Sequence, residues 1–246
     1  MVVSQSRVRP WTLPAAIPAL AFAGALLAGP ALAQERATPT PMGLMQEAEG
    51  LAACAPAEIG SLPEGTEAAA VYAIVPGESA ARYRVQEELA QVGETEAVGQ
   101  TQAIIGQIAF DEAGMPLACS RFDVDLRTLQ SDEARRDNYL YENTLQAETY
   151  PLATFVLRAV EGLDAPLAEG EEATVRLIGD LTLKDVTKLV AWEADVAMRD
   201  GALTGAATTE FAMPDFAIEP PSVPMLLSLD ETIRLEIDLT ARPAAG

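Results

Sequence analysis

The 246-residue chain contains no histidine. That absence removes imidazole general bases, Ser-His-Asp and Cys-His nucleophile systems, and histidine metal ligands together. Lysine is nearly absent as well: Lys184 and Lys188 are the only two. A Ser-Lys dyad would have to use one of them, and no neighbouring serine singles itself out. Positive charge is scarce overall, with 16 basic residues against 37 acidic, a formal charge of −21. Nucleic-acid binders need a basic face, so binding to a phosphate backbone is not expected. Phosphate loops, EF-hand loops, CxxC pairs and Gly-x-Ser-x-Gly are all missing. What the chain does have is apolar residues, 49% of the total, enough to build a substantial core.

The first 33 residues read as an export signal (residues 1–33) rather than as structure. Arg7 and Arg9 supply a positive start, an apolar stretch follows, and Ala31-Leu32-Ala33 offers small residues for cleavage before Gln34. Pro14, Pro18 and Pro30 favour cleavage over retention as a membrane anchor. Cleavage removes two arginines and no acid, leaving 14 basic residues against 37 acidic and a mature charge of −23. The expected location is periplasmic or secreted. There Cys54 and Cys119 are candidates for a disulfide, although both could equally be small apolar fillers. Residues 34–70, rich in Ala, Glu, Pro and Gly, read as a leader or linker.

From residue 71 to 242 the pattern alternates with period two, as strands with one buried face do. Phe122, Val124 and Leu126 oppose Arg121, Asp123, Asp125 and Arg127. Ile233, Leu235, Ile237 and Leu239 oppose Arg234, Glu236, Asp238 and Arg242. Weaker copies place Ala81, Tyr83 and Val85 on one inner face, and Ile104, Ile108 and Phe110 on another. Phe155 and Leu157, then Val175, Leu177, Leu181 and Leu183, then Val190, Trp192 and Val196, then Leu203 and Phe211 continue it. About eight one-sided antiparallel strands close most economically as an all-β barrel, or pack as a sandwich. Residues 243–246 form a short tail.

One helix is expected within this run, from an N-cap at Ser131 to about Glu142, with Asp132 and Glu133 in its first turn. Arg135-Arg136 is the only adjacent basic pair of the mature chain, suited to helix-face ion pairing or to a head-group contact at a cavity mouth. Asp123 and Asp125 alternate with buried positions, so they read as a solvated strand face and no metal site is expected.

Four segments resemble the YceI-like family. Ser131–Leu140 and Ala147–Phe155 look like its Arg-Asp-x-x-Leu and Tyr-Pro-x-x-x-Phe signatures. Gly179–Lys188 is similar to its Gly-x-Leu-Thr-Leu-His-Gly-Val-Thr-Lys strand and turn, and Gly106–Asp111 to its Gly-x-Ile-x-Phe-Asp strand. The resemblance implies an exported, lipocalin-like antiparallel barrel of about eight strands with one inserted helix. Its cavity would hold a polyisoprenoid or isoprenoid quinone without chemistry, and without any cofactor beyond the bound lipid. Two departures matter. Glu78-Ser79 stands where the family has His-Ser, and Leu183-Lys184-Asp185 where it has Leu-His-Gly. Glu78 and Lys184 therefore join Arg135 and Arg136 as candidate head-group contacts, and their opposite charges predict that they pair.

The expected cavity lining is Tyr83 and Val85, Ile104 and Ile108, Phe122, Val124 and Leu126, Phe155 and Leu157, Leu177, Leu181 and Leu183, Trp192, and Phe211. The partner expected is a long-chain isoprenoid lipid, with no stable membrane association at this charge. Two other readings stay open at this point. One is an enzyme on the same barrel using carboxylates and tyrosine. The other is a filled barrel whose acidic face is an interaction module.

Overall fold

A computed structural model describes residues 65–244, together with Leu51, Cys54, Ile59 and Leu62. The expected signal segment and most of the residues read as a leader lie outside the described residues. Eleven strands are present among them: β1 (Ala70–Ile74), β2 (Ala80–Leu89), β3 (Gly93–Thr101), β4 (Ile104–Phe110), β5 (Arg121–Asp125), β6 (Leu152–Glu161), β7 (Glu172–Leu183), β8 (Val186–Arg199), β9 (Ala202–Ala212), β10 (Leu226–Leu229) and β11 (Thr232–Pro243). Every pairing is antiparallel. Eight strands close the barrel in the order β1-β4-β5-β6-β7-β8-β9-β11, with β11 returning to β1. Closure leaves these strands no unpaired edge, and their inner apolar rows meet in one core.

The remaining strands widen one end. The first part of β11 pairs with β2, from Arg234 opposite Arg84 to Asp238 opposite Ala80. Its last part pairs with β1, from Ala241 opposite Ile74 to Pro243 opposite Tyr72. The chain breaks between β1 and β2, and Ser79 holds the break together. Its buried hydroxyl accepts the Thr240 N–H at 3.0 Å, while Thr240 O accepts the Val75 N–H at 2.8 Å. Beyond the break, β3 pairs with β2, and β10 continues the β11 side along β2. The end where β11 begins is called upper below.

Between β5 and β6 lies the helical insert, α1 (Ala134–Tyr139), which runs on as a π-helical turn over Leu140–Thr144. Its N-cap is Glu133, whose carboxylate accepts the Arg135 N–H at 3.0 Å, and not Ser131 as the sequence suggested. Ser131 binds ahead of the helix, donating its hydroxyl to Asp137 at 2.6 Å. The carboxylate two residues later meets a helix amide first and displaces the serine from that role.

Asp123 also departs from expectation. It is 2% exposed, not solvated, and takes a two-pronged hydrogen bond from Arg121 at 3.0 and 2.8 Å. Nearby, Arg158 reaches Asp180 at 2.6 Å and the Leu51 carbonyl at 3.3 Å. Leader residue Cys54 is disulfide-bonded to Cys119 just before β5, with Cα atoms 5.4 Å apart. The leader thus contacts the outer face of β5 and β6 at these points, where sequence alternation alone predicts water.

Gly99 and Gly179 sit beneath the rings of Tyr83 and Phe155, and Gly106 lies against the backbone of the neighbouring strand. A Cβ at Gly106 would stand 2.6 Å from the Phe122 Cα and within contact of the Arg121 carbonyl, both on the paired strand β5. Backbone cannot swing aside as a side chain can. Gly106→Ala is therefore expected to destabilise by about 2 kcal/mol, read as a lower denaturation midpoint at unchanged m-value.

Candidate functional site

Inward alternation converts the barrel interior into two apolar chambers. The upper one encloses about 160 Å³ and the lower about 130 Å³. Around the upper chamber the structure places Tyr83 and Val85 from β2, Val124 and Leu126 from β5 and the turn after it, Leu181 and Leu183 from β7, and Phe211 from β9. Around the lower one it places Ile108, Leu157 and Leu177. Phe122, Phe155 and Trp192 border both. Ile104 lines neither; it is fully buried in the wall as filler. Leu163 and Leu167, from the β6–β7 connection, line the lower chamber though sequence alternation did not single them out. Their four-residue spacing in a Gly- and Pro-bearing loop carries no strand signal.

Charged groups gather at the upper end. Arg136 of α1 reaches the upper chamber and binds Glu87 of β2 at 2.7 Å and Asp132 at 2.6 Å. Glu87 is 7% exposed at its side chain, so this pair is largely removed from water. Arg135 is exposed and does not line the chamber. Lys184, in the two-residue turn between β7 and β8, donates to the Ala217 carbonyl at 3.4 Å. Glu78 lies at the lower end outside both chambers, where Arg242 binds it at 2.8 Å and holds its carboxyl below the usual range. The expected Glu78–Lys184 pair does not form: the two sit at opposite ends of the barrel, each with another partner.

Tyr83 brings one of the unpartnered polar atoms of the upper chamber, with Thr144 and Trp192. Its buried hydroxyl has no hydrogen-bond partner among the described residues. Burial pushes its pKa up to about 12, only partly opposed by Arg136 and reinforced by Asp137, Glu87 and Asp132. The folded value exceeds the ordinary phenol value of about 10, so the folded state binds the proton more tightly. Stability should be unaffected below about pH 10 and fall as pH rises through about 12. Tyr83→Phe should abolish this alkaline loss and, by deleting an unsatisfied polar group, leave neutral-pH stability equal or higher. Denaturation at a series of alkaline pH values checks both. An undiminished alkaline loss in the variant would assign it to other groups.

The architecture is that of a small-ligand barrel: closed walls around apolar chambers, with the buried Arg136–Glu87 pair and the Tyr83 hydroxyl at the upper one. The chain belongs to the YceI-like domain family, whose match covers residues 72–241. Two solved structures share its fold. A polyisoprenoid-binding domain from Saccharophagus degradans, implicated in plant cell wall breakdown, superposes with a TM-score of 0.58 at 16% identity, covering 70% of this chain and 98% of that one. BcnA from Burkholderia cenocepacia gives 0.53 at 17% identity, covering 68% and 98%. Comparison with curated protein sequences finds no match.

Proposed function

We propose that this protein is an exported, non-catalytic carrier of a long apolar lipid of polyisoprenoid or isoprenoid-quinone type. The observation that carries the reading is the pair of apolar chambers inside a closed barrel, with the Arg136–Glu87 ion pair bordering the upper one. A lipid tail gains roughly 0.8 kcal/mol per buried methylene-sized group, so a long tail needs few polar contacts. The head group would meet Tyr83 and Arg136. The family membership and the polyisoprenoid-binding neighbour support the same reading, and the Cys54–Cys119 bond suits an oxidising compartment. An enzyme using carboxylates and tyrosine has less support, since Glu87 is already neutralised by Arg136.

Loading should require only brief encounters with a membrane. No helix of the described residues is long and apolar enough to cross one. The mature charge of −23 repels anionic bilayers, and Arg136 is occupied by Glu87 and Asp132 rather than free to dock. Stripped protein should take an isoprenoid quinone from anionic vesicles, faster as salt screens the charge over roughly a 10 Å Debye length. No uptake at any salt would overturn the carrier reading. Uptake that slows with salt would overturn repulsion in favour of docking.

A further inference from the structure

We infer that Phe155, clamped between Phe122 and Trp192, is a waist that a lipid chain must displace to pass from the upper chamber to the lower, so that this residue sets discrimination by chain length. This rests on the carrier reading above and specifies how its site is divided. Phe122, Phe155, Trp192 and Ile237 border both chambers, which makes them the partition between the two. Phe155 and Trp192 are each 2% exposed. The Phe155 ring lies 5.2 Å from Phe122 and 6.0 Å from Trp192, centroid to centroid, the latter edge-on. Its far edge rests on Gly179, where a Cβ would come 2.7 Å from Cε2. The glycine lets the ring lie against the wall of β7.

Size makes the partition consequential. A cavity of about 150 Å³ accommodates a ligand of benzene size. The upper chamber is of that order, and the lower one is smaller. A short chain can settle in the upper chamber with the waist closed, whereas a long one needs both chambers joined. The waist is held by ring packing alone. The Trp192 indole N–H has no hydrogen-bond partner among the described residues, and phenylalanine offers none. Side chains without polar ties can change rotamer once a ligand supplies replacement contacts, at the cost of the aromatic contacts they leave.

The test compares Phe155→Ala and the milder Phe155→Leu with the wild-type chain, using dimethylallyl alcohol, geraniol and farnesol as probes, of which only the first is near benzene size. Equilibrium affinity and loading rate are measured for each. Phe155 also lines the upper chamber, so the shortest probe serves as the internal reference and each longer probe is read as a ratio to it. Relative to that reference, the two longer prenols should gain at least about tenfold in Phe155→Ala over wild type and load faster, with Phe155→Leu between, because each further methylene buried without moving the ring is worth about fourfold. If all probes gain alike, the substitution merely enlarges a cavity and the waist is overturned. If neither variant changes the ratio of long to short, the waist is overturned as well. Binding of none of the prenols by wild type or variants would overturn the carrier reading beneath it. Should Phe155→Ala fail to fold, the Phe155→Leu ratio decides between these outcomes.

Discussion

Arginine placed at Leu181 should abolish the cooperative fold, while arginine at Asp238 should leave it nearly unchanged. Leu181 is 3% exposed, faces the upper chamber from β7, and pairs with Phe155 across the strands. The two carboxylates that border the chamber, Glu87 and Glu236, are already bound by Arg136 and by Arg84 and Arg234, and a buried charge without a partner of its own costs several kcal/mol. A loss of about 4 kcal/mol or more is expected, a large part of the 5–15 kcal/mol that holds a typical domain together. Asp238 points outward from β11 and is half exposed, paired with Arg82. Exchanging its charge forfeits a surface ion pair and should cost within about 1 kcal/mol. Circular dichroism melts of both variants check the contrast. Equal losses would mean that the inward and outward faces are wrongly assigned. Glu236 is no substitute control, because Arg84 at 2.9 Å and Arg234 at 3.3 Å both bind it and it is only 19% exposed.

Breaking the Cys54–Cys119 bond should be the next largest loss. The bond closes a sequence separation of 65, for which the loop-entropy argument gives about 4 kcal/mol. Its removal also frees the leader from the outer face of β5 and β6, where Leu51 accepts a hydrogen bond from Arg158. The double substitution Cys54→Ser with Cys119→Ser, and the wild type under reductant, should show the same lowered denaturation midpoint. The double variant should then be indifferent to reductant. A wild-type midpoint that ignores full reduction would show that the bond contributes nothing to stability.

The barrel was legible where bulky residues alternate. In β5 and β11 the inner rows are large and apolar and the outer rows mostly charged, so period two stands out, and bulky inner residues carry it through β7 and β8. β3 left no such trace. Its inner face carries Ala97 and Gly99, and Gly99 lies under the Tyr83 ring of β2, so a tyrosine two strands' width of sequence away supplies the bulk. Asp123 misled for the opposite reason. Alternation assigns it to the outer face, which is correct, but there the Arg121 guanidinium folds onto its carboxylate, and a pair within one outer row leaves no break in the period.

The site was harder to read than the wall. Which apolar residues point inward follows from local periodicity, but which charges meet at the upper end depends on how α1 falls against β2. Arg136 finds Glu87, 49 residues earlier, and nothing in the spacing of either announces it. Complementary charge alone suggests a Glu78–Lys184 pair, but the direction of the strands that carry them separates the two. Strand register sends one to each end, and Arg242 and the Ala217 carbonyl take up the partners' places. The Phe155 waist was hidden for a related reason: alternation marks Phe122, Phe155 and Trp192 as inward, but not that three inward rings meet at one level.

Native mass spectrometry of the protein purified from its own host tests the carrier reading most directly. The expected spectrum shows a species heavier than the mature chain by one isoprenoid lipid, released on organic extraction and identified by its fragment ions. Protein that arrives uniformly at the mass of the bare chain, with no extractable lipid, would contradict it.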